Sequence, residues 1–201
     1  APASDGRYLL VDQKSINYGS KMAKGSFEFT SLLKSVLISF CGNPAKCNIW
    51  TMITAEEVNV YHLKIPRVQK KQLENAILWS AKKDISVDEK DVIFDYELQG
   101  DIIDQGIPKY SVLAYSAPKA EIEKNKAMFS NIGITLAGIT IAPFAIQNIF
   151  RSKWLPLGER TIATLFIGNQ FSRIDIYRKE NLALTRGVKT GTSSMMEAIK
   201  A

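Results

Sequence analysis

The segment Thr161 to Gly191, TIATLFIGNQFSRIDIYRKENLALTRGVKTG, constrains the fold more than any other part of the chain. Two apolar-rich runs, Ile162 to Ile167 and Phe171 to Tyr177, flank Gly168-Asn169-Gln170, a group of turn-favouring residues. This spacing predicts a tight β-hairpin. Lys179-Glu180-Asn181 makes a second polar turn before Leu182 to Thr185, and Gly187 and Gly191 break the pattern before Thr192 opens a helix with Met195, Met196 and Ile199. The order strand, strand, strand, helix is that of an ordinary β-meander, and by itself it implies no ligand.

The chain has 201 residues, of which 46% are hydrophobic, enough to bury a core in one large domain or two small ones. Its 26 Lys plus Arg against 20 Asp plus Glu leave a formal charge of +6, which suits phosphate, anionic lipid or an acidic partner alike. The basic residues, among them Lys70, Lys71, Lys82, Lys83, Lys119, Lys124 and Lys126, are interspersed with acids, the pattern of a solvated surface rather than a nucleic-acid stripe. No run of 18 apolar residues is present, so no spanning helix is predicted. Cys41 and Cys47 flank a turn, Gly42 to Lys46, that brings them close enough for a disulfide; two reduced thiols at a core edge are the preferred reading. With His62 the only histidine and no paired Cys motif, a metal site is not expected. The N-terminal Ala-Pro-Ala-Ser-Asp-Gly, without initiator Met or apolar leader core, predicts a start at a processing or fragment boundary.

Along the chain, Arg7 to Asp12 is expected as a strand. Phe29, Leu32, Leu33, Val36, Leu37 and Phe40 then predict a helix capped by Ser26, stopped by Gly42 and lying on a sheet. Asn48 to Thr54 and Val58 to Ile65 are β-rich, as a hairpin or as a strand and its crossing partner. Arg67 to Lys83 is predicted helical with Leu73, Ala76, Ile77 and Ala81 on one face. Val92 to Leu98 and Tyr110 to Tyr115 are expected as antiparallel strands around an exposed turn, Gly100 to Pro108. Pro118 opens a helix ended by Gly133. A strand at Ile134 to Ile141 and a helix from Pro143 to about Phe150 follow, and Arg151 to Glu159 reads as a linker. The common nucleotide-loop, dinucleotide and nucleophile-elbow motifs are absent.

From about Trp50 to Ala198 the order of motifs resembles the PilM family of type IV pilus assembly proteins, whose actin-like fold is related to that of the cell-division protein FtsA. The resemblance is carried by WTMITAEEVNVYHLKIP at Trp50 to Pro66 and by the following RVQKKQLENAILWSAKKDISVDEKDVIFDYELQG with its Asp95-Tyr96 pair. KYSVLAYSAPKAEIEKNKAMFSNIGITLAGITIAPFAIQNIF completes it. It implies a mixed α/β, partial actin-like (ribonuclease H-like) fold with an inserted small α/β subdomain. The implied domains are 1–55, the remainder of a first lobe; 56–155, the inserted subdomain and return to that lobe; and 156–201, the beginning of a second lobe.

In actin-like ATPases an Asp precedes the Gly of the first turn and positions metal-bound phosphates; here Phe166-Ile167-Gly168 stands in place of Asp-Ile-Gly. A phenyl ring offers a metal or an attacking water nothing. Measured against the family, the opening Asp-x-Gly phosphate loop is expected to be missing, Thr140-Ile141-Ala142 stands where an acidic pair is frequent, and the adenosine-binding half is expected to be absent, as in a fragment or a shortened relative. The resemblance therefore implies a scaffold without ATP hydrolysis and without a cofactor, ATP and magnesium entering only if Gly168, Asn169, Gln170 and Gly191 still act as phosphate loops. The implied partners are the cytosolic N-terminal tail of an inner-membrane PilN-like protein, in a groove near Val60, Tyr61 and Leu63, and an assembly ATPase. No nucleic acid is expected, and the implied location is cytoplasmic, with the inner membrane reached only through partners, as in the related type II secretion protein GspL. The alternatives are an active actin-like ATPase with Asp175 replacing the missing acid, and a basic module for nucleic acid or anionic surfaces.

Overall fold

The computed structural model describes residues 9–19, 22–53, 58–83, 90–158 and 160–200. In chain order the elements are α1 (Phe27–Cys41), a 3-10 turn (Pro44–Lys46), β1 (Trp50–Ile53), β2 (Asn59–Pro66), α2 (Lys70–Lys82), β3 (Val92–Asp104) and β4 (Ile107–Pro118). There follow α3 (Lys119–Ser130), β5 (Gly138–Ile141), α4 (Ala142–Arg151), β6 (Thr161–Ile167), β7 (Ser172–Arg178), β8 (Asn181–Val188) and α5 (Thr192–Lys200). The strands form three sheets, ordered β1-β5, β2-β4-β3 and β6-β7-β8. Two compact units result: Ala1–Ile53 with Glu121–Ile162 and Tyr177–Leu182, and Thr54–Ala120 with Ala163–Ile176 and Ala183–Ala201.

In the first unit, Ser26 Oγ accepts from the Phe29 amide at 3.2 Å and caps α1. The half-buried Phe29, Leu33 and Leu37 pack on Met128, Phe129, Ile132 and Ile134, together with Ile49 and Leu136. The helix therefore lies on α3 and the approaches to β1 and β5, not on the face of a sheet. β1 and β5 run parallel, Trp50 opposite Gly138 and Ile53 opposite Ile141. Of the strand expected at Ile134 to Ile141, only Gly138–Ile141 pairs; Ile134 and Leu136 reach the core from an irregular segment. The Tyr177 hydroxyl donates to the Pro143 carbonyl at 3.0 Å, its ring meets Phe150 edge-on at 4.9 Å, and Gln147 Oε1 accepts from the Leu182 amide at 2.6 Å. Leu157, in the segment expected as a linker, is buried; Glu159 lies outside the described residues. Arg7 and Tyr8 also lie outside them, and Leu9 to Asp12 take no strand conformation, with Leu10 and Val11 exposed. An apolar run becomes a strand only where a neighbouring strand takes up its backbone groups.

Between β1 and β5 in sequence, β2, β3 and β4 form a sheet of their own. β2 and β3 flank β4, both antiparallel to it, so β1 and β2 belong to different sheets rather than to one hairpin. Leu73, Ile77 and Ala81, spaced four apart on α2, bury against Leu63, Ile65, Val112 and Ala114. Each such Leu or Ile contributes roughly 1.5–3 kcal/mol through removal from water. α2 starts at Lys70, later than predicted, because Pro66 still pairs with Lys109 and Arg67 is held by Asp101 at 2.8 Å and by the Tyr110 ring. The segment Gly100 to Pro108 is strand, not loop. β3 continues past a register shift at Leu98/Gly100 to Asp104 and turns back through Gln105 and Gly106, φ 51° and 78°. Two consecutive left-handed residues match the right-handed twist of the flanking strands. Asp101 and Asp104, which suggested a loop, are strand residues paired with Arg67, Lys64 and Lys109.

Candidate functional site

The predicted hairpin forms. The Gly168 amide donates to the Phe171 carbonyl at 2.9 Å, closing the Gly168-Asn169-Gln170 turn between β6 and β7. The turn then docks on the start of α5. The Thr192 and Ser193 amides, among the first of a helix and without an intrahelical acceptor, donate to the Gly168 and Asn169 carbonyls at 2.9 Å each. Asn169 Oδ1 accepts from Ser193 Oγ at 2.5 Å and from Thr192 Oγ1 at 3.3 Å. Gly191 is the residue that permits this approach, since a Cβ there would overlap the Asn169 carbonyl and come within 2.5 Å of the Gly168 oxygen. Gly168, Asn169 and Gly191 are thus brought together, but by backbone packing, and two of the helix-start amides that would receive a phosphate are bonded internally. Gln170 sits in the turn and is exposed.

Phe166 stands half-exposed at the end of β6, its ring 6.3 Å from that of Phe171. The Arg173 guanidinium lies 5.7 Å from its centre, a cation over an aromatic face. Arg173 and Asp175 alternate on β7, and both are buried. Arg173 Nε lies 2.8 and 2.9 Å from the two Asp175 oxygens, Thr185 Oγ1 donates to one at 2.7 Å, and Thr164 Oγ1 reaches the other at 3.5 Å. The Asp175 carboxylate is engaged in a buried ion pair on β7 and in hydroxyl contacts from both neighbouring strands. The sequence reading overlooked Arg173, Thr164 and Thr185. The signal for Arg173 was the alternation of two opposite charges, Arg173 and Asp175, along one strand; Thr164 and Thr185 had none. Among the described residues no group of three His, Cys, Asp or Glu side chains is placed to hold a metal ion.

Val60, Tyr61 and Leu63 lie on β2, the edge of its sheet, opposite Tyr115, Ala114 and Val112. Leu63 is buried in the α2 core, Tyr61 packs partly against that core, and Val60 is half-buried on the alternate face. His62 shares that alternate face. Partial burial and, secondly, the charge of Arg186 hold its imidazole below the ordinary histidine range. On β4, the Tyr115 hydroxyl donates to Asp95 Oδ2 at 3.1 Å, and burial followed by the Asp95 charge pushes the phenol upward. At the other end of the sheet Asp104 is bonded by Lys109 at 2.8 Å and Lys64 at 2.5 Å, and these bonds keep its carboxyl below the usual range.

Among solved structures, the chain resembles one from a PilM–PilN type IV pilus biogenesis complex, with a TM-score of 0.67 at 15% identity over 91% of this chain and 55% of that one. It also resembles the cytoplasmic domain of EpsL, an inner-membrane component of the type II secretion system of Vibrio cholerae, with a TM-score of 0.52 at 13% identity over 81% of this chain and 56% of that one. The chain shares their fold. It is mixed α/β, and it spans little more than half the length of either structure. A Bacteroides thetaiotaomicron protein described as having an actin-like ATPase fold and unknown function superposes with a TM-score of 0.42 at 11% identity, over 98% of this chain and 66% of its own. No protein-family model matches the chain, and no curated protein matches it in sequence. No helix among the described residues is long and apolar enough to cross a membrane.

Proposed function

We propose that the chain is a non-catalytic adaptor of a type IV pilus or type II secretion assembly platform, holding the cytosolic N-terminal tail of a PilN-like inner-membrane partner and linking it to an assembly ATPase. The observation that carries the non-catalytic half is the closed turn: Gly168 and Asn169 bond the first amides of α5, Phe166 occupies the acidic position, and Asp175 is neutralised by Arg173. Metal-assisted phosphoryl transfer needs free amides and a free carboxylate at that place. The adaptor half is supported by the fold shared with a PilM–PilN complex. β2 ends its sheet, so an extended peptide can add to its open side while half-buried side chains such as Val60 and Tyr61 supply apolar contacts. In this reading no cofactor is used, and the adaptor works at the cytoplasmic face of the inner membrane through its partner.

Two titrations test the two halves separately. A synthetic peptide of the PilN-like tail from the same genome should bind saturably, and Val60→Asp should weaken it about tenfold, the cost of a charge in an apolar contact. A folded chain that binds no such tail loses the adaptor reading. Magnesium and ATP together should leave the melting temperature unchanged; an ATP-specific, magnesium-dependent rise would return the chain to the ATPases.

A further inference from the structure

The end of α1 is folded back on itself. Gly42 takes φ +71° and its amide bonds the Ile38 carbonyl, so the chain leaves the helix in a reversed direction that a side chain would strain. Asn43 then caps the 3-10 turn through the Ala45 amide at 3.1 Å, Pro44 occupies its first position, and the Lys46 and Cys47 amides bond Asn43 and Pro44 carbonyls at 3.0 and 3.1 Å. The result sets Cys47 back over Cys41. The Cys47 thiol faces the Cys41 carbonyl at 4.0 Å and the Asn43 carbonyl at 3.6 Å, while the Cys41 thiol donates to Leu37 at 3.0 Å. Both cysteines are free and half-buried.

We propose that Cys41 and Cys47 form a reversible dithiol site, closed to a disulfide by exchange with a low-molecular-weight disulfide such as oxidised glutathione. The Cys47 thiolate attacks one glutathione sulfur, forming a mixed disulfide and releasing one glutathione thiolate. The Cys41 thiolate then attacks the Cys47 sulfur, forming the internal bond and releasing the second. Two protein thiols are oxidised, one glutathione disulfide is reduced to two thiols, and the two protons pass to the leaving thiolates. Burial, and next the neighbouring Cys47 thiol, keep Cys41 protonated above the ordinary thiol range, which suits it to the later, intramolecular step. The turn holds the Cys47 thiol 4.0 Å from the Cys41 carbonyl.

Oxidised glutathione is added to the folded full chain at mildly alkaline pH and the intact mass is measured. The expected product is a monomer lighter by two hydrogens, resistant to iodoacetamide and restored by dithiothreitol. Its melting temperature should rise by roughly 4–8 °C, as closure of a short ring in the unfolded chain requires. Cys41→Ser should stop at a single persistent glutathione adduct on Cys47. Stable adducts on both thiols of the wild type, disulfide-linked dimers, or an unchanged mass while urea-unfolded chain reacts would each overturn the site.

Discussion

Gly191 and Asp175 are each tightly constrained in the β6-β7-β8 region. Gly191→Ala places a methyl against the Asn169 carbonyl, and backbone cannot yield as a side-chain tip can, so the turn must separate from α5. A loss of about 1–3 kcal/mol in urea unfolding is expected, the usual cost of overpacking. For Asp175 the chemistry differs. Asp175→Asn leaves the Arg173 guanidinium buried beside a neutral amide and should cost about 3–5 kcal/mol, whereas the double change Arg173→Met with Asp175→Leu should cost clearly less, since no orphaned charge remains. Equal losses in the two variants would mean that the pair contributes by packing, not by charge. Gly168, Asn169 and Gln170 were legible at this scale as turn formers. The hydroxyl partners of Asp175 were not legible, because Thr164 and Thr185 lie eleven and ten residues away on other strands.

At the scale of elements, local signals worked where the deciding residues are contiguous. α1 begins at its predicted Ser cap and ends at its predicted Gly; Ser26→Ala should remove one side-chain acceptor from the first turn and cost about 1 kcal/mol in thermal or urea melting. They failed at Gly100 to Pro108, where Asp, Gly and Pro together signal a loop. Pairing with β4 and ion pairs to Arg67, Lys64 and Lys109 override that signal. The same competition shortens α2 at its start, since Pro66 finds a ladder partner in Lys109 before the helix opens.

For the whole molecule, His62 contributes to the loss of stability between neutral and mildly acid pH, and Asp104 contributes at lower pH. The folded-state pKa of His62 lies below the unfolded value, so the unfolded chain binds the extra proton. The associated stability is complete above about pH 6.5 and is lost as the pH falls from there through the folded-state value. Urea stabilities measured between about pH 7 and pH 5 should therefore decline more gently in His62→Gln than in the parent chain; parallel curves would remove His62 from the acid response. The alternation of helices and strands and the turn at Gly168 to Gln170 were readable in the sequence, because each is written in neighbouring residues through side-chain period, capping and turn chemistry. The pairing of β1 with β5, the Thr164 and Thr185 bonds to Asp175 and the closure of the turn on α5 came from tertiary contacts alone. Those outcomes depend on which distant groups satisfy a buried amide or charge, and no local pattern encodes the partner.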